Sequence, residues 1–527
     1  MQGRDALATQ GRRRAAGRRP VSVFGWALEK YLGRTDRWLA RSAADPAAAQ
    51  ARVFRQLLDR AGGTWFARRY ALKAVKTHED FARAVPIRDY VADLEVFQRV
   101  LRGERDVCWP GRVRHFAQTS GTTAGDKYIP VTDSMMKSNR RAALAMFAFY
   151  RRWGAGKVRR LLEGQLLFLG GSTALQRSDS GARIGDLSGI ATRSIFWPLS
   201  RRYEPGKELA LLDSWEKKVQ AVARRVAGRD VRFVTGMPSW VRVLFDEMVR
   251  LRGVQARGGM SVLWPNLSLF VHGGVNFAPY RSGFQQYFRP GHALDFLEVY
   301  PASEGFIAIQ ADAGNPGMEM LTDNGLFYEF VPLSEWGSPA GRRLTIGQVE
   351  LDVPYSLVLS TCAGLWAYDL GDVVRFVSVR PPRIVFAGRN KHFLNAYGEN
   401  LIGEQVSAAV AAAAAATGAG VEEFTVAPKY AGGARRVGTH EYVVEFAAPP
   451  AGGLGPFAAA IDEELKRLNN DYTTKRKGDL GMTCPEITPV PRGTFYRWMK
   501  SRGQLGGQHK VPLCANDRRY VDELLSM

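Results

Sequence analysis

The feature that most constrains the fold is an alternation of strand-like and helix-like segments through the middle of the chain. The strand-like runs are 165–169, 231–235, 267–271, 293–299 and 305–310, and helix-like stretches include 209–226 and 240–251. Strands that alternate with helices are typical of sheets that contain parallel strands and carry helices on their faces. Ahead of them, apolar residues recur at helical spacing over 38–100, which predicts a helical entry region. We therefore predict an α/β protein with mixed β-sheets flanked by helices.

The pattern changes near Arg389, after which shorter elements follow one another closely. Helix-like segments at 403–416 and 457–468 alternate with strand-like segments at 423–427, 441–446 and 486–490. A chain of 527 residues is too long for one ordinary hydrophobic core. We predict a large domain at 21–388 and a small C-terminal α+β domain at 389–527.

The start of the chain is rich in arginine and poor in apolar residues, so residues 1–20 are expected to form a disordered basic tail. The apolar run at 21–28 ends at Glu29 and Lys30 without a small-residue cleavage site, which argues against secretion. No segment reaches the roughly 18 apolar residues that a membrane span requires. The four cysteines form no CxxC pair. These features predict a soluble protein of the reducing cytoplasm.

The charge balance is strongly basic, with 73 Lys and Arg against 51 Asp and Glu and a formal net charge of +22. Such a field attracts polyanions, so a nucleic-acid-binding protein is a remote alternative. The sequence lacks a helix-turn-helix, zinc or RNA-recognition signature, and no specific nucleic-acid partner is predicted.

The segment HFAQTSGTTAGDKYIPVT at 115–132 is the strongest functional signal. Phosphate oxygens need hydroxyl donors, close backbone N–H groups and a cation, and glycines allow the backbone to approach. The segment supplies all three in Thr119, Ser120, Gly121, Thr122, Thr123, Gly125 and Lys127. It lacks the GxxxxGK[ST] order of P-loop NTPases. A polar surface turn is the structural alternative, but Lys127, two residues after Gly125, favours a phosphate loop.

Two further segments place acidic side chains where ligands can reach them. VYPASEG puts Tyr300, Ser303 and Glu304 directly after a predicted strand, at the edge of a sheet where ligands bind. The dipeptide Gly371-Asp372 lies between two strand-like halves, where a carboxylate can accept both hydroxyls of a ribose. A hairpin turn is the structural alternative for the second segment.

QTSGTTAGDK resembles the phosphate loop of the adenylate-forming superfamily. More narrowly, the chain resembles the auxin-responsive Gretchen Hagen family of acyl-acid amido synthetases over residues 75–520. The segments that agree in order are FLGGST at 168–173, GDLSGI at 185–190, HGGVNFAPYR at 272–281, VYPASEG at 299–305, GLFYEFVP at 325–332, STCAGLWAYDLGDVVRF at 360–376 and GGQHKVPLC at 506–514. Several ordered motifs are more specific than any single one.

The resemblance implies roles for individual residues. Tyr300 would stack on adenine, Glu304 would help to hold Mg²⁺ and Asp372 would bind the ribose, with Ser303 beside them. The segment 384–406 resembles the hinge between the two domains and would bring Arg389 and Lys391 near the nucleotide. Lys510 would be the mobile C-terminal lysine that neutralises charge during adenylation, although a surface lysine is the alternative.

The implied activity is adenylation of a small carboxylic acid by ATP, followed by transfer of the acyl group to an amine, with an amino acid as the expected acceptor. An acyl-CoA ligase that shares the acyl-AMP intermediate is the alternative. Such chemistry depends mainly on positioning and charge neutralisation, for which Lys127, Lys510 and Mg²⁺ are the candidates. The acid, the amine and the oligomeric state stay open.

Overall fold

The computed structural model describes most of the chain, including the segments that carry the predicted elements. The described residues are 23–120, 126–170, 175–192, 201–210, 212, 214–273, 277, 281–315, 317–338, 340–390, 393–394, 396–397, 399, 401–430, 437–476, 482–505 and 511–527. The predicted tail at 1–20 lies outside them.

The described part of the chain begins with five α-helices, which confirms the predicted helical entry region, and further helices lie on the faces of the sheets. Their bounds are α1 Val23–Ala44, α2 Pro46–Ala61, α3 Trp65–Arg69, α4 His78–Ala84, α5 Leu94–Leu101, α6 Asp133–Arg152, α7 Lys157–Leu161, α8 Leu187–Thr192, α9 Lys207–Ala210, α10 Trp215–Val226, α11 Pro238–Arg252, α12 Ala256–Leu263, α13 Arg281–Gln285, α14 Gly403–Thr417, α15 Leu454–Leu468, α16 Asn470–Arg476, α17 Thr494–Ser501 and α18 Arg519–Leu525. Several helices begin at a capping residue. At the start of α2, the Asp45 side chain accepts a hydrogen bond from the N–H of Ala48 at 2.9 Å.

The strands form one large sheet and three smaller ones within the described residues. Their bounds are β1 His115–Ser120, β2 Asp126–Val131, β3 Gln165–Phe168, β4 Gln176–Arg177, β5 Arg183–Gly185, β6 Tyr203–Glu204, β7 Val231–Thr235, β8 Leu269–Gly273, β9 Asp295–Ala302, β10 Gly305–Ile309, β11 Met318–Met320, β12 Leu326–Pro332, β13 Pro354–Thr361, β14 Tyr368–Val379, β15 Pro382–Arg389, β16 Phe393–Leu394, β17 Leu401–Ile402, β18 Gly420–Lys429, β19 Thr439–Ala448 and β20 Glu486–Val490. All five strand-like runs of the central region are confirmed, with small shifts at their ends.

The large sheet contains eleven described strands in the order β12-β13-β14-β15-β11-β10-β9-β8-β7-β3-β6. The strands from β9 to β6 run parallel, and those from β12 to β10 pair antiparallel. Helices α1 and α6 cover one face, where Leu297 and Val299 of β9 are buried, while α10, α11 and α13 cover the face that carries Phe270 and Phe296. The predicted mixed sheet flanked by helices is therefore confirmed.

The C-terminal part has its own small sheet, β18-β19-β20, packed against α14 and α15. The alanine-rich sequence of α14 explains this packing. Alanine favours the helix intrinsically, and the small side chains of Ala409 and Ala413 are fully buried beside Phe457 and Ile461 of α15. The predicted C-terminal α+β unit is thus observed as a separate cluster of buried residues.

Candidate active site

The candidate site is centred on a buried contact between β9 and β14. The Tyr300 hydroxyl donates a hydrogen bond to Asp372 Oδ2 at 2.5 Å, and Arg389 Nε lies 2.9 Å from Asp372 Oδ1. Asp372 and Arg389 are register partners on β14 and β15. Burial, and then the Asp372 carboxylate, raise the pKa of Tyr300 far above its ordinary value, so the phenol stays a donor. Three residues that the sequence placed in different motifs therefore meet.

This contact requires the large sheet to curl. Four strand-to-strand steps separate β14 from β9 in the sheet order, which would span about 19 Å in a flat sheet. A tyrosine side chain cannot cross that distance. The antiparallel part of the sheet must therefore fold back towards the parallel part and close over the end of β9.

Asp372 is presented by an irregular strand rather than by the turn that the sequence suggested. Gly371 and Asp372 both lie inside β14, and Gly371 has φ +80°, a conformation that favours glycine. The pairing with β13 passes from Asp369 to Val373 with a register shift, so residues 370–372 of β14 bulge out of that ladder, while Asp372 pairs with Arg389 on the β15 side. The hairpin alternative for Gly371-Asp372 is therefore wrong.

A second layer of hydrogen bonds supports this strand, and sequence reasoning missed it. Asn390 Nδ2 donates to Asp369 Oδ1 and to Ser356 Oγ, each at 2.9 Å, and the Gly371 N–H donates to Asp369 Oδ1 at 2.8 Å. The Asn390 N–H also donates to the Gly371 carbonyl at 2.9 Å. The position of Asn390 beside Arg389 in the predicted hinge was the available signal.

The structure also brings the predicted phosphate-loop lysine to the predicted metal ligand. Ser303 and Glu304 are buried in the turn between β9 and β10. Burial raises the pKa of Glu304, and the positive charges of Lys127 and Arg389 oppose the rise. The Lys127 ammonium lies 5.7 Å from the centre of the Tyr90 ring. Lys127 and Glu304, which are remote in sequence, thus act on one another electrostatically.

Part of the predicted phosphate loop lies outside the described residues. Backbone pairing places Thr119 opposite Lys127 and Ser120 opposite Asp126, so the two ends of the segment form the antiparallel pair β1-β2. The predicted residues Gly121, Thr122, Thr123, Gly125, Lys391 and Lys510 fall outside the described ranges. Their roles stay predictions.

A second cluster of ionisable groups lies on the same face of β9 as Tyr300, and sequence reasoning gave it no role. Glu298 precedes Tyr300 by two residues, and His272 is its register partner on β8. The Arg281 guanidinium lies 5.0 Å from the Phe296 ring centre. Burial raises the pKa of Glu298 to about 7, and Arg281 opposes the rise. Burial and then Arg281 lower the pKa of His272 to about 3.

Comparison with solved structures defines the class of fold. The chain superimposes with a TM-score of 0.75 on the AtGH3.15 acyl acid amido synthetase in complex with 2,4-DB, at 17% identity over 95% of this chain and 96% of that one. Its fold is that of an acyl acid amido synthetase.

Family models and curated relatives agree with this class. Residues 36–200 match the GH3 family N-terminal domain, 319–389 the central domain and 404–519 the C-terminal domain. The chain belongs to the GH3 family, which confirms the resemblance seen in the sequence. It is 23% identical to the indole-3-acetic acid-amido synthetase GH3.4 of Arabidopsis thaliana, over 90% of each chain. It is also 23% identical to the jasmonoyl-L-amino acid synthetase JAR6 of Nicotiana attenuata, over 90% of this chain and 92% of that one.

Among the described helices, none combines the length and the apolar character needed to cross a membrane.

Proposed function

We propose that this chain is an ATP-dependent ligase that activates a small carboxylic acid as its acyl-adenylate and transfers the acyl group to an amine, specifically an amino acid. The observation that carries the proposal is the convergence of Lys127, Glu304, Tyr300, Asp372 and Arg389 at one end of β9 in a GH3-family chain. Relatives named as an indole-3-acetic acid-amido synthetase and a jasmonoyl-L-amino acid synthetase support the same reaction class.

Asp372 and Tyr300 would hold the nucleoside. Asp372 Oδ1 lies 2.9 Å from Arg389 Nε in an ion pair but accepts no aligned hydrogen bond within the described residues, so it would still accept one from a ribose hydroxyl. The second oxygen accepts from Tyr300, whose ring lies 6.0 Å from the Phe386 ring in an edge-to-face arrangement. Because its hydroxyl is held, the Tyr300 ring has a defined orientation, and the family resemblance gives it the role of stacking on adenine.

Glu304 would bind Mg²⁺ together with the phosphates of ATP. The raised pKa of this buried carboxyl shows that nearby positive charge does not fully offset the loss of water, so a divalent cation suits the site. Within the described ranges no three acidic, His or Cys side chains form a metal cage. Mg²⁺ bound to nucleotides needs only one or two carboxylates, and the residues therefore fit it. When bound, the ion would neutralise phosphate charge.

Lys127 and the loop residues Thr119, Ser120, Gly121, Thr122, Thr123 and Gly125 would bind the phosphates, with Ser303 beside them. A small domain at 389–527 would move against a large domain at 21–388, with Arg389 at the hinge. This motion would bring Lys510 to the reacting carboxylate and the α-phosphate. A preorganised cation stabilises the charge that concentrates on these groups in the transition state. We place the enzyme in the cytoplasm, where ATP is available and thiols stay reduced.

The proposal is tested by incubating the protein with ATP, Mg²⁺ and a panel of aryl, indolyl, jasmonate-like and fatty acids, with either amino acids or CoA as acceptor. Acid-dependent release of pyrophosphate and an amide product only with amino acids are expected. A thioester product with CoA would instead establish an acyl-CoA ligase. Absence of pyrophosphate release across the panel from folded protein that binds ATP would contradict adenylation.

A further inference from the structure

A concave pocket lined by arginines lies away from the candidate active site. Its volume is about 750 Å³, and its lining residues are Arg34, Arg37, Trp38, Arg41, Arg52, Arg141 and Asp323. They come from α1, α2, α6 and the turn after β11. Helices α1 and α6 cover the face of the large sheet on which Val299 is buried. Tyr300 points to the opposite face, because successive side chains of a strand alternate.

The helical spacing explains how α1 contributes three of these arginines. Arg34, Arg37 and Arg41 recur at i, i+3 and i+7, which places them along one face of the helix. Arg52 and Arg141 arrive from the neighbouring helices. Three helices therefore bring five guanidinium groups around one concavity, an arrangement that the separate arginines do not reveal in the sequence.

The pocket is electrostatically unbalanced. Within the described residues, none of the five arginines forms an ion pair with a carboxylate, although Asp36 on the same helix pairs with Arg151 and Arg152. Arg141 Nη1 donates to the main-chain oxygen of Asp323 at 3.1 Å; desolvation lowers the pKa of Arg141, and the negative charge of Asp323 opposes the fall. Five positive charges that line one concavity repel one another, and a bound anion would relieve the repulsion.

Trp38 adds a second sign of an unfilled site. The Arg141 guanidinium lies 3.7 Å from the centre of the Trp38 ring, so the indole holds this arginine in place at the pocket wall. The indole Nε1–H is buried and has no acceptor within the described part of the chain. Buried donors in folded proteins are nearly always hydrogen-bonded.

We propose that this pocket binds a compact polyphosphate, meaning two or more linked or adjacent phosphates, at a site separate from the nucleotide site. Guanidinium groups bind phosphate oxygens through paired N–H donors, and five of them suit several phosphates rather than one. The pocket has the size of a small-ligand site and is concave, which favours a compact anion over a nucleic-acid duplex. The inference does not depend on the proposed ligase activity.

The test is calorimetric titration of the full-length protein with sodium tripolyphosphate at low ionic strength. Wild type is compared with the double variant Arg37→Ala/Arg41→Ala and with the control Arg250→Ala/Arg467→Ala. The control removes the same charge from exposed helical arginines that pair with Glu247 and Glu464 outside the pocket. We expect the dissociation constant to rise at least about tenfold in the pocket variant and less than about twofold in the control. Added salt should weaken tripolyphosphate binding by wild type through charge screening, and the affinity of the pocket variant should depend less steeply on salt.

Equal weakening in the two variants, or no binding by wild type, would overturn the proposal. If the double alanine variant does not fold, Arg37→Lys/Arg41→Lys serves in its place, because it keeps the charge and loses the paired donors; unchanged affinity in that variant would count against the site. Pelleting with vesicles that contain phosphatidylinositol bisphosphate distinguishes the source of the phosphates. Pelleting of wild type that the pocket variant loses would indicate that the phosphates belong to a lipid headgroup. Binding of tripolyphosphate without pelleting would indicate a free polyphosphate.

Discussion

The Tyr300 hydroxyl and the Asp372 carboxylate form a 2.5 Å hydrogen bond across 72 positions of sequence. The other carboxylate oxygen faces Arg389 Nε at 2.9 Å. A carboxylate held from two sides is preorganised, so binding of the proposed ribose would need little reorganisation.

The first prediction concerns ATP binding by Asp372. Asp372→Ala removes charge-assisted hydrogen bonds worth roughly 1.5 kcal/mol or more each, so the Michaelis constant for ATP should rise about 100-fold if both ribose hydroxyls are bound. Tyr300→Phe keeps the ring and removes only the supporting hydrogen bond, and its Michaelis constant should rise less than about tenfold. Pyrophosphate release at varied ATP measures both. An unchanged ATP dependence in folded Asp372→Ala would exclude the ribose role.

The second prediction separates the two half-reactions through Lys510. Lys510→Ala should slow formation of the acyl-adenylate by about 10² to 10³, the effect of removing one preorganised charge-stabilising donor. Amide formation from chemically supplied acyl-adenylate should continue at the wild-type rate. Single-turnover assays of each step measure the difference. If the rates of both steps fall equally, or neither falls, Lys510 is not the mobile lysine. Lys391 would then be the next candidate.

The third prediction concerns the contact between the large and C-terminal parts. Arg242 of α11 pairs with Glu422 of β18, and Arg492 Nε lies 2.7 Å from the same carboxylate. Because the pair is largely buried, a double-mutant cycle with Arg242→Met and Glu422→Gln should give a coupling of about 1–3 kcal/mol in urea unfolding.

The surface pair Arg250–Glu247, at 2.7 Å on α11, is the matched control for that cycle. Its coupling should stay below about 0.5 kcal/mol. Couplings of the same size for the two pairs would show that Arg242 and Glu422 do not hold the two parts together.

The fourth prediction concerns the pH dependence of stability at Glu298. Its pKa is raised from 4.5 to about 7 in the folded protein, chiefly by burial. Between these values the folded state keeps a proton that the unfolded state has lost, so stability falls as the pH rises through this window and levels off above it. Glu298→Gln removes the ionisable group and with it this dependence of stability on pH.

From about pH 4.5 to 7, the free energy of unfolding of wild type should therefore fall by roughly 2–3 kcal/mol relative to that of Glu298→Gln. Urea unfolding across the range measures it. The pKa of His272, lowered from 6.5 to about 3, produces the opposite slope, with stability lost as the pH falls below 6.5. This slope is present in both proteins and cancels in the comparison. Parallel curves would contradict a half-buried Glu298 that stays protonated in the folded protein.

Local sequence patterns were sufficient to predict most of the elements. Strand β7 and strand β20 begin and end where the apolar runs predicted, and the alanine-rich segment forms α14. These features depend on side-chain periodicity and intrinsic helix preference, which act over a few residues. Gly371-Asp372 was misread as a turn, because its place inside β14 depends on partners from β13 and β15 on either side.

The sequence by itself determined the fold class, the family resemblance and the identity of Lys127, Tyr300, Glu304, Asp372 and Arg389 as candidates. Only the tertiary structure decided how they meet. The curl of the large sheet brings β14 to β9, and burial then shifts the pKa values of Tyr300 and Glu304. The Glu298 cluster and the arginine pocket likewise depend on which strands and helices become neighbours. Proximity, burial and charge interaction arise only in the folded structure, because they depend on which distant residues become neighbours.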